Sequence, residues 1–155
     1  MSNSIDHLYA PMRPLISGVL AKANELLKQR QDNLRVVVHD THRSWEQQAA
    51  NYAKGRTTPG KIVTNAKPQE SAHCILTQGG LPASMAADLW VLTPDGKLVR
   101  DAHPAWAVIP FAAYLVAGDR LAMGAAFSSI RGGDWPHLEW NGWMSLVTNG
   151  QIKVG

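Results

Sequence analysis

Two imidazoles and a carboxylate, far apart along the chain, are the side chains best suited to hold a metal ion. They are His73 in Glu70-Ser71-Ala72-His73, Asp88 in Ala86-Ala87-Asp88-Leu89, and His137 in Asp134-Trp135-Pro136-His137. Neutral imidazole and carboxylate are the donors of catalytic zinc, and three protein ligands leave the fourth tetrahedral position open to water. An ion held this way stays Lewis-acidic and brings the pKa of bound water from roughly 15.7 to about 7. Asp134 lies three residues before the second histidine. It is placed to act as general base on that water without occupying the metal. Arg43 follows a β-branched run and precedes a helix cap. Its guanidinium is a candidate for binding a substrate carboxylate or a developing oxyanion. If these residues converge, the chain is a metal-dependent hydrolase with one zinc ion.

Each residue also has an ordinary reading. A single His is commonly a surface or packing residue, and a single Asp a cap or a solvated charge. Asp134 follows Gly132-Gly133 and could simply form a turn, and Arg43 could sit in a surface ion pair. His39 and His42 have ligand-like spacing. In a strand-to-loop setting that spacing does not put them on one face, so they read as supporting or structural residues. Cys74 is the only cysteine, which excludes an intramolecular disulfide; it reads as a small buried hydrophobe. His137-Leu138-Glu139 matches the His-x-Glu of zinc deaminases, but their Pro-Cys-x-x-Cys is absent. There is no His-Glu-x-x-His and no glycine-rich phosphate loop.

The elements that must position these groups are legible in outline. Residues 11–30 form an amphipathic pattern, with Leu15, Val19, Ala23 and Leu26 at helical spacing. Arg35-Val-Val-Val-His39 reads as a strand. Ser44 and Gln47 have the spacing of a capping box, opening a helix that Gly55 ends. Residues 55–70 and 76–85 read as irregular. Asp88–Leu92 reads as a strand, Pro94-Asp95-Gly96-Lys97 as a turn, and Leu98-Val99 as the return strand. A helix is expected from Pro104 to Leu121, with Pro110 as a potential kink. Ala122–Phe127 and His137–Trp140 read as strands, Arg131–Asp134 as a loop or bulge, and the tail from Trp143 is ambiguous.

The 155 residues suit one domain, spanning 1–155, with a substantial core. An apolar fraction of 45% with 17% charged residues is that of an ordinary soluble protein. Most of the six Trp are expected in the core. Net charge is +3. Lys54, Arg56, Lys61 and Lys67 make a basic segment without an acid, suited to anionic ligands but too sparse for nucleic acid. No apolar run is long enough for a membrane span. The N-terminus lacks a signal-peptide pattern, which predicts synthesis in the cytoplasm.

Taken as ordered blocks, Arg43-Ser-Trp-Glu-Gln-Gln, Tyr52 through Lys67, Ser71-Ala-His73, Ala86-Ala-Asp88-Leu and Gly133-Asp-Trp-Pro-His-Leu-Glu139 resemble a family of bacterial cell-wall zinc peptidases. These are the D-alanyl-D-alanine carboxypeptidases and dipeptidases, and the nearest branch is the L-alanyl-D-glutamate endopeptidases of phage endolysins. The resemblance covers about residues 35–140. It implies one zinc ion on His73, Asp88 and His137, Asp134 as general base, Arg43 binding and polarising the substrate, and Ser71 touching it. It implies an α+β fold in which a small antiparallel sheet carries the metal and helices flank it. The implied substrate is the peptidoglycan stem peptide, cut at L-Ala–D-Glu. The alternatives are a D-Ala-D-Ala carboxypeptidase or dipeptidase, and a metal-stabilised wall-binding module without turnover. The expected protein is a monomer without stable membrane association, reaching the wall through a pore made by another protein. One departure stands out: residues 74–87 separate His73 from Asp88, a longer spacer than the family's. The segment around Leu76–Ser84 reads as an insertion that could reshape the cleft.

Overall fold

The computed structural model describes residues 2–100, 102–126 and 134–155. Helix α1 (Arg13–Gln29) follows a short 3-10 turn, with Pro14 in its first turn, where the missing N–H costs nothing. Leu15, Ile16, Val19, Ala23 and Leu27 are its buried stripe. Strand β1 (Arg35–Asp40) follows. Helix α2 (Trp45–Ala53) opens on the capping box of Ser44 and Gln47 and stops before Gly55, whose φ is +72°. A Cβ at Gly55 would lie 2.8 Å from the Ile62 nitrogen, so the chain can double back there only with glycine.

The remaining elements are β2 (Ile75–Leu76), β3 (Ala86–Leu92), α3 (Val108–Ala117), β4 (Leu121–Met123), β5 (His137–Trp140), α4 (Trp143–Thr148) and β6 (Lys153–Val154). Four strands form an antiparallel sheet in the order β1-β3-β5-β4, and β2 pairs with β6 in a separate two-stranded ribbon. The architecture is α+β: a small antiparallel sheet flanked by helices.

The two faces of the sheet do different work. In β3, Ala87, Leu89 and Val91 are buried in one cluster with the apolar stripes of α1 and α3. The alternate residues Asp88 and Trp90 are half-buried and line a cleft on the opposite side. A smaller cluster of Ala72, Ile75, Met85, Trp143 and Ile152 closes one end. Trp106 and Trp143 are buried, Trp90 and Trp140 pack against the core, and Trp45 and Trp135 are exposed.

Several elements differ from the sequence reading for definite reasons. The helix expected over 104–121 is three pieces, a 3-10 turn Pro104–Ala107, α3 and a 3-10 turn Gly118–Arg120. Pro110 sits in the first turn of α3, where no N–H is required, so it produces no internal break. Leu98-Val99 is not a strand; it makes one bridge, Leu98 to Leu92, and one bond from the Val99 N–H to the Val91 carbonyl. The strand expected to reach Phe127 ends at Met123 and becomes a 3-10 turn at Gly124–Ala126. Phe127 and residues 131–133 of the expected loop lie outside the described residues. The ambiguous tail is α4 and β6. The segment 76–84 folds away from the cleft: Ile75-Leu76 pairs with β6, the chain turns at Thr77–Gly80, and Ser84 bridges to Leu8.

Strand β1 is an edge of the sheet, and α1 covers that edge through one side chain. The Asn24 Nδ2 donates to the Val36 carbonyl at 3.0 Å, and the Val36 N–H donates to Asn24 Oδ1 at 2.9 Å. An amide therefore stands in for a neighbouring strand. Replacing Asn24 with Ala leaves both backbone groups without partners. The expected loss is about 2 kcal/mol of stability, read as a lowered urea midpoint at unchanged slope.

Candidate metal centre

The site is assembled by register. Asp88 of β3 lies directly opposite His137 of β5, so both side chains emerge on the same face. On the other side Asp88 faces Asp40 across a bulge in β1 between Val38 and Asp40. The extra residue re-aims the strand end and brings Asp40 beside Arg43. His73 comes from a 3-10 turn, Ala72–Cys74, capped by the Ser71 hydroxyl, which accepts from the His73 N–H.

The result is a compact donor set. One ligand atom each from His73, Asp88 and His137 lies within 4.8 Å of the others, so the group could hold a metal ion. The ring centroids of the two histidines are 5.3 Å apart. His73 Nδ1–H donates to the Thr41 carbonyl at 2.5 Å. A carbonyl only accepts, so this bond puts a proton on Nδ1 and makes Nε2 the nitrogen that faces the site. That Nε2 is buried, 3.4 Å from Asp88 Oδ1, and has no hydrogen-bond partner among the described residues. A buried polar atom without a partner is costly, and an ion between these three residues would satisfy it. The donor set fits a divalent metal on these grounds.

The charges are arranged around Asp88. Burial opposes its ionisation, yet the two imidazoles beside it, His73 first and then His137, hold its carboxyl well below the usual range. Arg43 adds a short hydrogen bond from Nη2 to Asp88 Oδ2. Its Nε donates to Asp40 Oδ2 and its Nη1 to Gln48 Oε1 at 3.1 Å. Three of the five guanidinium donors are thus committed to the protein, and Arg43 holds the metal-facing carboxylate while also lining the cleft. His137 sits between two acceptors, Asp88 Oδ1 at 2.9 Å from Nδ1 and Glu139 Oε2 at 3.1 Å from Nε2. Burial works against a charged ring, but the two carboxylates outweigh it and raise the imidazole from 6.5 to about 10.

A cleft of about 740 Å³ opens over the triad. Asp134 and Glu139 line it beside the metal residues, the stacked pair His39 and Trp90 forms part of one side, and Ile62–Ala66 forms part of the wall. Burial pushes the Asp134 carboxyl above its usual range, with His137 pulling the other way and Asp88 adding to the rise. A raised carboxylate is a stronger proton acceptor, as a general base requires. Ser71 is buried and lines the cleft as the cap of the His73 turn. No residue of 75–84 lines the cleft, but the Ser84 hydroxyl donates to the Thr41 carbonyl that also holds His73. Of the basic segment, Lys54 lines the cleft, whereas Arg56 stacks on Tyr52 and bonds the Tyr52 and Thr64 carbonyls.

His42 packs edge-on to His7, and Cys74 is buried with its thiol toward the Ser44 carbonyl, so neither joins the triad. The sequence reading did not single out Thr41, Asp40, Gln48 or Glu139. For Gln48 a faint signal existed: a polar residue on the inner face of α2, fully buried and bonded to the Ala66 carbonyl at 2.9 Å. No family model matches the chain.

Two expectations follow, the first for the metal-free protein. A raised His137 contributes stability fully below about pH 6.5 and loses it as pH climbs toward about 10. The lowered Asp88 contributes above its ordinary 3.8 and loses its share only as pH falls through its depressed value. Urea midpoints should therefore decline between roughly pH 6.5 and 10, and His137→Gln should flatten that decline. The second concerns Gly124, whose carbonyl accepts from the Asp134 N–H at 2.8 Å. A Cβ there would lie 2.4 Å from the Asp134 carbonyl oxygen and 2.9 Å from His137 Cβ. Gly124→Ala must displace the segment carrying both, and metal binding should weaken by about tenfold or more, measured by chelator competition.

Proposed function

We propose that this protein is a zinc-dependent peptidase of bacterial peptidoglycan, cutting the stem peptide at the L-Ala–D-Glu bond. The observation that carries the metal reading is the buried Nε2 of His73, without a hydrogen-bond partner among the described residues and grouped with Asp88 and His137 at an open cleft. His73, Asp88 and His137 would hold the ion. A zinc ion bound there would supply Lewis-acid polarisation of a carbonyl and would acidify a water toward neutral pH. Asp134, at the cleft beside the triad, would accept a proton on its carboxylate and pass it to a leaving amine. Arg43 keeps Asp88 in place and offers its two remaining N–H groups to a substrate oxygen. Lys54 is the cation at the cleft that suits the free carboxylates of a stem peptide. Ser71 acts at the cleft edge by holding the His73 turn. The choice of peptidoglycan rests on the ordered sequence blocks that resemble the wall peptidases; the site supports hydrolysis by a single metal and is open enough for a peptide.

The test combines metal analysis with product identification. Wild-type protein should carry one zinc per chain and release muropeptides ending at L-Ala, with a new amino terminus on D-Glu. Release of free D-Ala would instead assign a carboxypeptidase. Zinc binding with no peptide product would leave a wall-binding module. Asp134→Ala should keep its zinc and lose at least about a hundredfold in turnover, while His73→Ala should lose the metal. An Asp134→Ala protein with wild-type turnover removes the aspartate from the mechanism.

A further inference from the structure

Glu139 has no role in the reaction as written, yet it is built into the site. Residues 137 and 139 share one face of β5, and the Glu139 carboxylate meets His137 Nε2 at 3.1 Å. The cross-strand neighbours of Glu139 are Ala86 on β3 and Ala122 on β4. Both are short, which leaves the carboxylate room to lie against the ring of its own strand. The side chain is three-quarters covered, at 24% exposure, and lines the metal cleft.

We propose that Glu139 is the positioning residue of the metal centre, holding the Nε2 proton of His137 so that the ring meets the ion through Nδ1. The geometry leaves one consistent assignment. Nδ1 is the nitrogen facing Asp88, at 2.9 Å, and so faces the other ligands. Nε2 points to a carboxylate, which accepts a proton and cannot replace it. His73 is oriented in the opposite sense, with Nδ1 held by the Thr41 carbonyl and Nε2 facing the site. The two rings therefore offer different nitrogens, each fixed by its own acceptor. A carboxylate acceptor also makes the ring a better donor to metal than a carbonyl does, and losing such a partner typically costs 10–100-fold in affinity.

The inference rests on the metal reading of the triad and is independent of the bond cleaved. The test is zinc affinity by competition with a chromophoric chelator, together with 15N spectra of the histidine rings in zinc-loaded wild-type protein. E139A should bind zinc about 10–100-fold more weakly. E139Q, whose amide oxygen can still accept from Nε2–H, should stay within a few fold of wild type. The His137 spectrum should show a protonated Nε2 and a metal-bound Nδ1. Unchanged zinc affinity in E139A, or a protonated Nδ1 on zinc-loaded His137, overturns the assignment. E139Q that binds zinc normally but loses turnover overturns it in favour of a direct catalytic part for Glu139. Wild-type protein that binds no zinc at all removes the metal reading itself, a separate outcome from either.

Discussion

A carboxylate taken out of water must be compensated, and in this protein the compensation of Asp88 organises everything near the cleft. One oxygen takes the Arg43 guanidinium; the other faces both histidines. Arg43 is itself tied to Asp40 and to Gln48, and Gln48 reaches the Ala66 carbonyl on the cleft wall. A continuous line of charge-assisted and neutral hydrogen bonds thus runs from the metal ligand to the wall that a substrate would touch. Removing any one member leaves another buried polar group without a partner, and such losses exceed the modest value of the bond itself. One buried oxygen beside this line, Asp40 Oδ1, has no hydrogen-bond partner among the described residues.

The network can be this demanding because the sheet beneath it is fixed independently. Leu89, Val91 and Leu138 are buried against the helices α1 and α3, so the strands carrying Asp88 and His137 are set by apolar packing on the far face. Side-chain alternation then dictates where those two ligands point. A one-residue slip of β3 against β5 would bury Asp88 in the apolar layer and expose Leu89, at a cost no slipped register could recover. The third ligand is less constrained by the sheet. It is held by the Ser71 cap, the Thr41 carbonyl and the bond from the Arg43 N–H to the His73 carbonyl.

The parts of this arrangement that are local in sequence are the parts legible there. The capping box at Ser44, the stripe of α1 and the β-branched run of β1 depend on near neighbours, and their expected positions agree with the structure to within a residue or two. Ligand chemistry alone did not single out the triad, since six histidines and twelve acids offer many sets; the ordered blocks of the resemblance pointed to His73, Asp88 and His137. The triad's supporting acceptors were not legible. Thr41 acts through a backbone carbonyl, which every residue possesses, and Asp40 acts only because a bulge turns it toward Arg43. The second ribbon, β2 with β6, joins residues nearly eighty positions apart and has two pairs in register. So short a pattern has no periodicity to read. Pro110 was ambiguous for a different reason: the same residue breaks a helix interior and suits a first turn, and only the start of α3 decides between them.

The division of labour between the two faces also bears on how metal binding relates to folding. In small zinc modules the ion supplies the folding energy, because no adequate core exists without it. Here the principal core lies across the sheet from the ligands and contains none of them. The ligands have substitutes of their own: His137 carries protons toward both Asp88 and Glu139, and Asp88 has Arg43. A divalent ion entering this site would therefore compete with a proton on His137 and would give His73 Nε2 a partner. It works on a scaffold that already exists. That exchange of proton for metal makes affinity rise with pH until the ring is neutral. It also explains why two carboxylates set beside His137 are compatible with a stable protein: the groups that orient that ring for an ion balance its charge without one.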